Sequence, residues 1–233
     1  MITDDDKWHN FLNEMYKSIL NVYRKHENSF DDYGVHGRRH ISRSIIFSEF
    51  MARFYTKELG KDIDFNAIRY AVSFHDSGRK GNGIDVWEKD SEDNCFKYLM
   101  NGYDYKVINH SDYDEVKCKY ISSLISKNLT NDINHNIVYD SDVLDIMRPC
   151  SGHVEIDNFR RSELRFLGPK DNFVNFYLYD EIREELIIDA WKLIEYTEDN
   201  DMLFNTKENN QLYYMLNIVD KNKLNFNILH KYF

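Results

Sequence analysis

Between residues 5 and 26, Trp8, Phe11, Leu12, Met15, Tyr16, Ile19, Leu20 and Tyr23 recur at intervals of three and four. That is the stripe of an amphipathic helix buried along one face. Asp4, Asp5 and Asp6 suit its N-terminus, where exposed N–H groups favour anions. A loop over residues 29–34 leads into His36-Gly37-Arg38-Arg39-His40 and a second helix reaching about Tyr55. Ile41, Ile45, Ile46, Phe50, Phe54 and Tyr55 form its inner side, and Gly60 stops it or lies just beyond its end. If helix already begins at Val35, His36 and His40 share a face; if Gly37 breaks it, His36 enters from the loop.

Asp64 has the form of an N-cap, with Ile63 before it as a staple. The helix that follows carries Phe65, Ile68, Ala71, Val72 and Phe74 and ends in His75-Asp76. A small basic turn, residues 77–83, comes next. Asp85-x-x-Glu88 has the form of a capping box for a helix to about Met100, closed by Gly102. Further helices are predicted over 112–127 and 136–148, the latter ended by Pro149. Residues 150–170 look irregular, 172–196 read as a long helix, 197–210 as a polar loop, and a last helix closes the chain. No stretch alternates as a strand does. The pattern predicts an all-α fold of roughly seven to eight helices.

Composition narrows this reading. The 233 residues are 42% hydrophobic and 15% aromatic, too apolar for a disordered chain, and only two Pro and nine Gly interrupt the helices. One domain over 1–233 is expected, with its motifs within 33–150 and a C-terminal helical extension at 171–233. A net charge of −10 argues against nonspecific nucleic-acid binding. Cys95, Cys118 and Cys150 lack metal-type spacing, so a reducing compartment and small buried thiols are expected. The polar start does not resemble a cleavable signal peptide, and no apolar run approaches the roughly 20 residues of a membrane span. The cytoplasm, or a host cell reached without a cleaved leader, is the expected location.

The chemistry gathers on His40, His75, Asp76 and Asp142, whose N and O donors suit divalent Mn, Fe, Mg or Zn. Neighbours on a regular helix point about 100° apart, so His75 and Asp76 share one centre only near a helix end. The turn after them supplies that end. Arg79 and Lys80 stand where a phosphate would sit. Arg43 and Arg148 either do the same or pair with acidic groups. Asp140 supports a ligand or caps, Asp145 pairs with an arginine, and Glu88 either caps its helix or supports the site. Trp87 is core or pocket wall. Arg160, Arg161 and Arg165 read as a solvated or salt-bridged face. His9, His26, His110, His135 and His230 read as solvated, and His153 as loop-borne.

The order H…HD…D, with its frames FHDSG and SDVLD, resembles the HD superfamily of phosphohydrolases and phosphodiesterases, whose helical fold is then expected here. HGRRHISR, FHDSGRKGNGIDVWEKDSEDNCFKYL and DSDVLDIMR resemble more closely the phosphodiesterase domain of the SidE family of bacterial effectors, including its Dup-type members. That resemblance implies cleavage of a diphosphate or phosphodiester on ADP-ribosylated or phosphoribosylated ubiquitin, or on another ADP-ribosylated protein. His36 would be the nucleophile, and no metal would be needed. Asn82 stands where the family has a catalytic glutamate, and Tyr139 where it has a second catalytic histidine. A phenol with pKa near 10 is a slower proton shuttle than an imidazole. Two other readings stay open: a metal-dependent phosphohydrolase of free nucleotides, and a protein that binds phosphoribosyl or ADP-ribosyl groups without turnover.

Overall fold

The computed structural model describes residues 4–15, 19–29, 35–82, 85–101, 113–128, 130–146, 164–165, 180–200 and 210–233. Among them are nine α-helices, one 3-10 helix and no strand. The α-helices are α1 (Asp4–Glu14), α2 (Leu20–Glu27), α3 (Arg38–Leu59), α4 (Phe65–Phe74), α5 (Glu88–Asn101), α6 (Glu115–Ser123), α7 (Ile133–Ile146), α8 (Asp180–Asp199) and α9 (Gln211–Asp220). The 3-10 helix is Leu229–Tyr232. The all-α class is as expected. The region predicted as one helix over 5–26 is described as α1 and α2, with the residues 16–18 between Met15 and Ile19 outside the described set. Met15 and Ile19 are both buried, as the apolar stripe predicts. Tyr16, the end of the loop over 29–34, His110, Arg148, Cys150, His153, Arg160, Arg161 and the predicted start of the helix over 172–196 lie outside the described residues. No described helix is long and apolar enough to cross a membrane.

The chain forms two compact units, one of residues 1–41 and 64–129 and the other of 42–63 and 130–233. In the first, α4, α5 and α6 pack on one another. Asp64 caps α4 as predicted, accepting from the Ala67 N–H at 3.1 Å. Every residue of α4 from Ala67 onward is buried, including Arg69, whose guanidinium lies over the rings of Trp8 and Phe65. Buried polar groups need partners. Glu14 therefore accepts from the hydroxyls of Tyr70 and Tyr98, and Tyr23 donates to the Ser73 carbonyl at 2.6 Å. Cys95 and Cys118 are buried free thiols. The capping box expected at Asp85 and Glu88 does not form: α5 begins at Glu88, and Asp85 accepts instead from the Trp87 N–H. The chain enters α5 two residues later than the D-x-x-E spacing implies.

In the second unit the fully buried Arg43 of α3 donates to both carboxylate oxygens of Asp145 on α7, and to Thr197 and Glu198 on α8. Asp145 thus has the arginine partner expected of it. Asp189, also fully buried, accepts from the N–H groups of Asn227, Ile228 and Leu229 and so fixes the start of the 3-10 helix. The Tyr232 ring then packs on Phe50 and Phe54.

Two outcomes follow from these buried groups. Removing one member of a fully buried ion pair costs about 3–5 kcal/mol, because the other charge is left uncompensated. Asp145→Ala is expected to lose that much in urea denaturation, whereas Glu198→Ala, at the exposed end of the same cluster, loses under about 1 kcal/mol.

Tyr23, Tyr55 and Tyr70 form a second set. Burial first, and the charges of Asp76, Asp140 and Glu14 respectively, hold these phenols well above their ordinary value. In the unfolded chain they ionise near pH 10. Their contribution to stability is complete below that pH. It falls by about 1.4 kcal/mol per pH unit for each group as the pH rises towards the folded values. The share of the phenolate absorbance that disappears when these three are replaced by Phe is expected to appear in one step with loss of the helical circular dichroism; its gradual appearance with the helices intact would contradict this burial.

Candidate active site

The turn expected after His75-Asp76 is present. α4 ends at Phe74, His75 is its C-cap, and the Ser77 N–H closes onto the Phe74 carbonyl at 2.9 Å. Residues 75–78 leave the helical path, so two adjacent side chains serve one centre. α3 starts at Arg38, which settles the geometry left open by Gly37. His36 comes from the turn before the helix and His40 from the first helical turn. The Glu27 carboxylate holds that entry, accepting from the Arg38 N–H at 2.7 Å and from its side chain at 2.8 Å.

These pieces meet at Asp76, which is almost wholly buried. Its Oδ2 lies 2.9 Å from His36 Nδ1, 3.5 Å from His40 Nε2 and 3.9 Å from His75 Nε2. Its Oδ1 accepts from Arg79 Nε at 3.1 Å. Burial pushes this carboxyl upward, but the imidazoles of His75, His40 and His36 act against it and hold it well below the usual carboxylate range. Asp76 is therefore an anion that accepts only. It accepts a hydrogen bond from His36 Nδ1–H, which in the neutral ring leaves the lone pair on Nε2. His75 Nδ1 donates to the Val72 carbonyl at 2.7 Å, which places its lone pair on Nε2 as well, 2.9 Å from His40 Nε2.

Among the described residues, His40, His75 and Asp76 form a group whose donor atoms all lie within 4.8 Å of one another. A nitrogen separation near 3 Å suits adjacent ligands on an ion with bonds of about 2.1 Å, and the His75–carbonyl bond is the support that metal-bound imidazoles commonly have. The same contacts also stand without an ion, as a hydrogen bond from one imidazole to the other.

Gly78 is required where it sits. A Cβ there would lie 2.5 Å from the Ser91 backbone nitrogen and 2.6 Å from Asp90 Cβ. Its N–H donates to Ser91 Oγ at 2.9 Å, and Asn94 donates to the Ser77 carbonyl, so the turn is pinned to the start of α5.

Arg79, read from sequence as a phosphate contact, is buried between Asp76 and Asp85, with its guanidinium over the Trp87 ring. Lys80 is exposed and pairs with Asp90 at 2.5 Å. Asn82 is exposed, and Glu88 accepts from the Lys127 N–H at 3.0 Å.

Arg43, Tyr139, Asp140 and Asp142 belong to the second unit. Arg43 takes the ion-pairing course described above. Asp140 is fully buried and accepts from the Arg165 N–H, while the Arg165 guanidinium lies over the Tyr139 ring at 3.5 Å. Asp142 is half-buried on α7. Two histidines expected in solvent are buried. His135 contacts Arg165, and His26 packs against the Tyr23 ring. Arg165 likewise engages His135, Asn136 and Tyr139 rather than a solvated face. Asp85, as a partner of Arg79, was missed, because its role depends on how the 77–87 segment closes and no local spacing encodes that.

No curated protein and no solved structure matches the chain significantly. The family model of the SidE phosphodiesterase (PDE) domain matches residues 33–204, about three-quarters of the sequence. That span contains His36, His40, His75, Asp76, Arg79, Tyr139 and Asp142, and with it the chain belongs to the SidE phosphodiesterase domain family.

Proposed function

We propose that the protein is a phosphodiesterase acting on the diphosphate of an ADP-ribosylated protein, or on the phosphodiester of a phosphoribosylated one, with modified ubiquitin the first candidate. The observation that carries this reading is the 2.9 Å contact of His36 Nδ1 with the buried Asp76 carboxylate, which leaves a nucleophilic lone pair on Nε2. His36 is also partly accessible, whereas His40 is fully buried. Nε2 attacks the phosphorus bonded to the ribose. A P–N bond forms, the P–O bond to AMP breaks, and the electron pair leaves with the AMP oxygen. The ring then carries a positive charge, which Asp76 balances through Nδ1–H. Water, or a serine hydroxyl, next attacks the phosphorus. The P–N bond breaks, neutral imidazole returns, and the proton of the attacking hydroxyl passes to solvent. The same first attack on phosphoribosyl-serine would expel the serine oxygen with the electron pair of the P–O bond, and that oxygen would take a proton from solvent. Such a substrate fits a role as an effector inside a host cell.

A second reading rests on the donors of His40, His75 and Asp76. These residues would hold a divalent cation, which polarises a phosphoryl oxygen or lowers the pKa of water. Free nucleotides would then be the substrates.

Purified protein is expected to release AMP from ADP-ribosylated ubiquitin, or phosphoribosyl-ubiquitin from a phosphoribosyl-linked conjugate. His36→Ala is expected to lower kcat by about 10³-fold or more, the scale seen when a nucleophile is removed. Absence of turnover on both, from well-folded wild-type protein, refutes the proposal.

Elemental analysis beside a His75→Ala control separates the two readings. His36-centred chemistry expects no stoichiometric metal in either sample and turnover that resists strong chelation. About one equivalent of metal, lost in the variant, moves the assignment to a nucleotide phosphohydrolase.

A further inference from the structure

Arg79 joins the reacting group to the protein surface through a row of alternating charges within the first unit. Lys127 Nζ lies 2.8 Å from Asp85 Oδ2, and the same oxygen lies 3.8 Å from an Arg79 terminal nitrogen. Arg79 Nε reaches Asp76 Oδ1 at 3.1 Å, and Asp76 Oδ2 reaches His36 Nδ1 at 2.9 Å. The two oxygens of Asp76 thus divide their work. One faces the imidazoles and the other faces the guanidinium. Each further link has its own support. Asp85 Oδ1 accepts from the Trp87 N–H at 3.2 Å, the Trp87 ring lies 5.4 Å from the guanidinium carbon, and the Arg79 N–H bonds the Asp76 carbonyl at 3.1 Å. The Lys127 N–H bonds Glu88, so the outer end of the row is tied to the start of α5.

The guanidinium is hydrogen-bonded through Nε to Asp76, has a terminal nitrogen 3.8 Å from the Asp85 carboxylate and lies over the Trp87 indole, so its charge is balanced on both sides. Seating a phosphate on it would break these pairs inside a buried site, where an abandoned carboxylate is costly. We propose that Arg79 is a positioning residue, not a phosphate clamp. It locks the Asp76 carboxylate so that Oδ2 stays on His36 Nδ1, and Asp85 with Trp87 holds Arg79 in that pose. The inference rests on the His36-centred reading above, and it extends the site to Arg79, Asp85 and Trp87.

The test combines kinetics with a spectroscopic readout that needs no substrate. Arg79→Ala is expected to lower kcat about 10–100-fold with KM little changed, the scale of losses when a group that orients a site residue is removed. Arg79→Lys is expected not to restore it, because an ammonium cannot bridge Asp76 and Asp85 as the planar fork does. Asp85→Asn, which alters a group with no contact to the imidazoles, is expected to lower kcat several-fold. The Arg79→Ala/Asp85→Asn double variant should be no slower than Arg79→Ala alone, since both act on one linkage. A raised KM with unchanged kcat in Arg79→Ala, rescue by lysine, or additive losses in the double variant would overturn the proposal in favour of a clamp.

In protein labelled with ¹⁵N-histidine, the Nδ1–H resonance of His36 is identified by its absence in His36→Ala. It is expected to lie downfield in the wild type and to move upfield in both Arg79→Ala and Asp85→Asn. An unmoved resonance overturns the positioning role. If no ubiquitin conjugate is turned over yet the resonance moves in both variants, the positioning role stands and the substrate assignment fails.

Discussion

A carboxylate taken out of water must be matched by hydrogen-bond donors or it will not stay charged. Asp76 meets this condition with His36 Nδ1 on one oxygen and Arg79 Nε on the other, while His40 and His75 lie 3.5 and 3.9 Å away, and much of the first unit serves that arrangement. α4 must stop at Phe74 so that His75 and Asp76 converge. α3 must start at Arg38 so that His36 and His40 arrive from different backbone conformations. Tyr23, bonded to the Ser73 carbonyl, packs close enough for the Asp76 charge to act on its phenol. The site is thus the place where two helix ends leave polar groups that only a buried anion can collect.

The second unit solves a related problem with a different purpose. Arg43 and Asp145 are both fully buried, and Asp189 is spent on three backbone N–H groups at the 3-10 helix. These acids tie remote segments together. Both units bury charge, yet in one the ionised groups surround a nitrogen lone pair and in the other they are saturated by their partners. Burial of a charged residue alone therefore does not distinguish reactive chemistry from a structural clasp.

What was legible in the sequence was local. Asp64 announced α4 through its side chain's affinity for free N–H groups, and the helix-end requirement at His75-Asp76 followed from the angle between neighbouring residues. The frames HGRRHISR, FHDSGRKGNGIDVWEKDSEDNCFKYL and DSDVLDIMR then pointed to the family. What was not legible depended on closure in space. The sequence placed Arg79 beside a phosphate because basic residues follow the histidine and aspartate. The fold also pairs that side chain with Asp76 and Asp85, contacts that no periodicity describes. Arg43 and Asp145 are 102 positions apart, so the sequence indicated that Asp145 would have an arginine but not which one. The burial of His135 was not legible because its neighbours are polar.

The glycine of the FHDSG frame has a consequence for how such families are read. Position 78 touches no reacting atom. It is closed to every side chain because the turn lies directly on the backbone of Ser91 and on Asp90. In a saturation library selected for activity it would be purged as strictly as the histidines. A map of intolerance drawn from such a library would merge a steric boundary with the chemical centre, and only the contacts around each position would tell them apart.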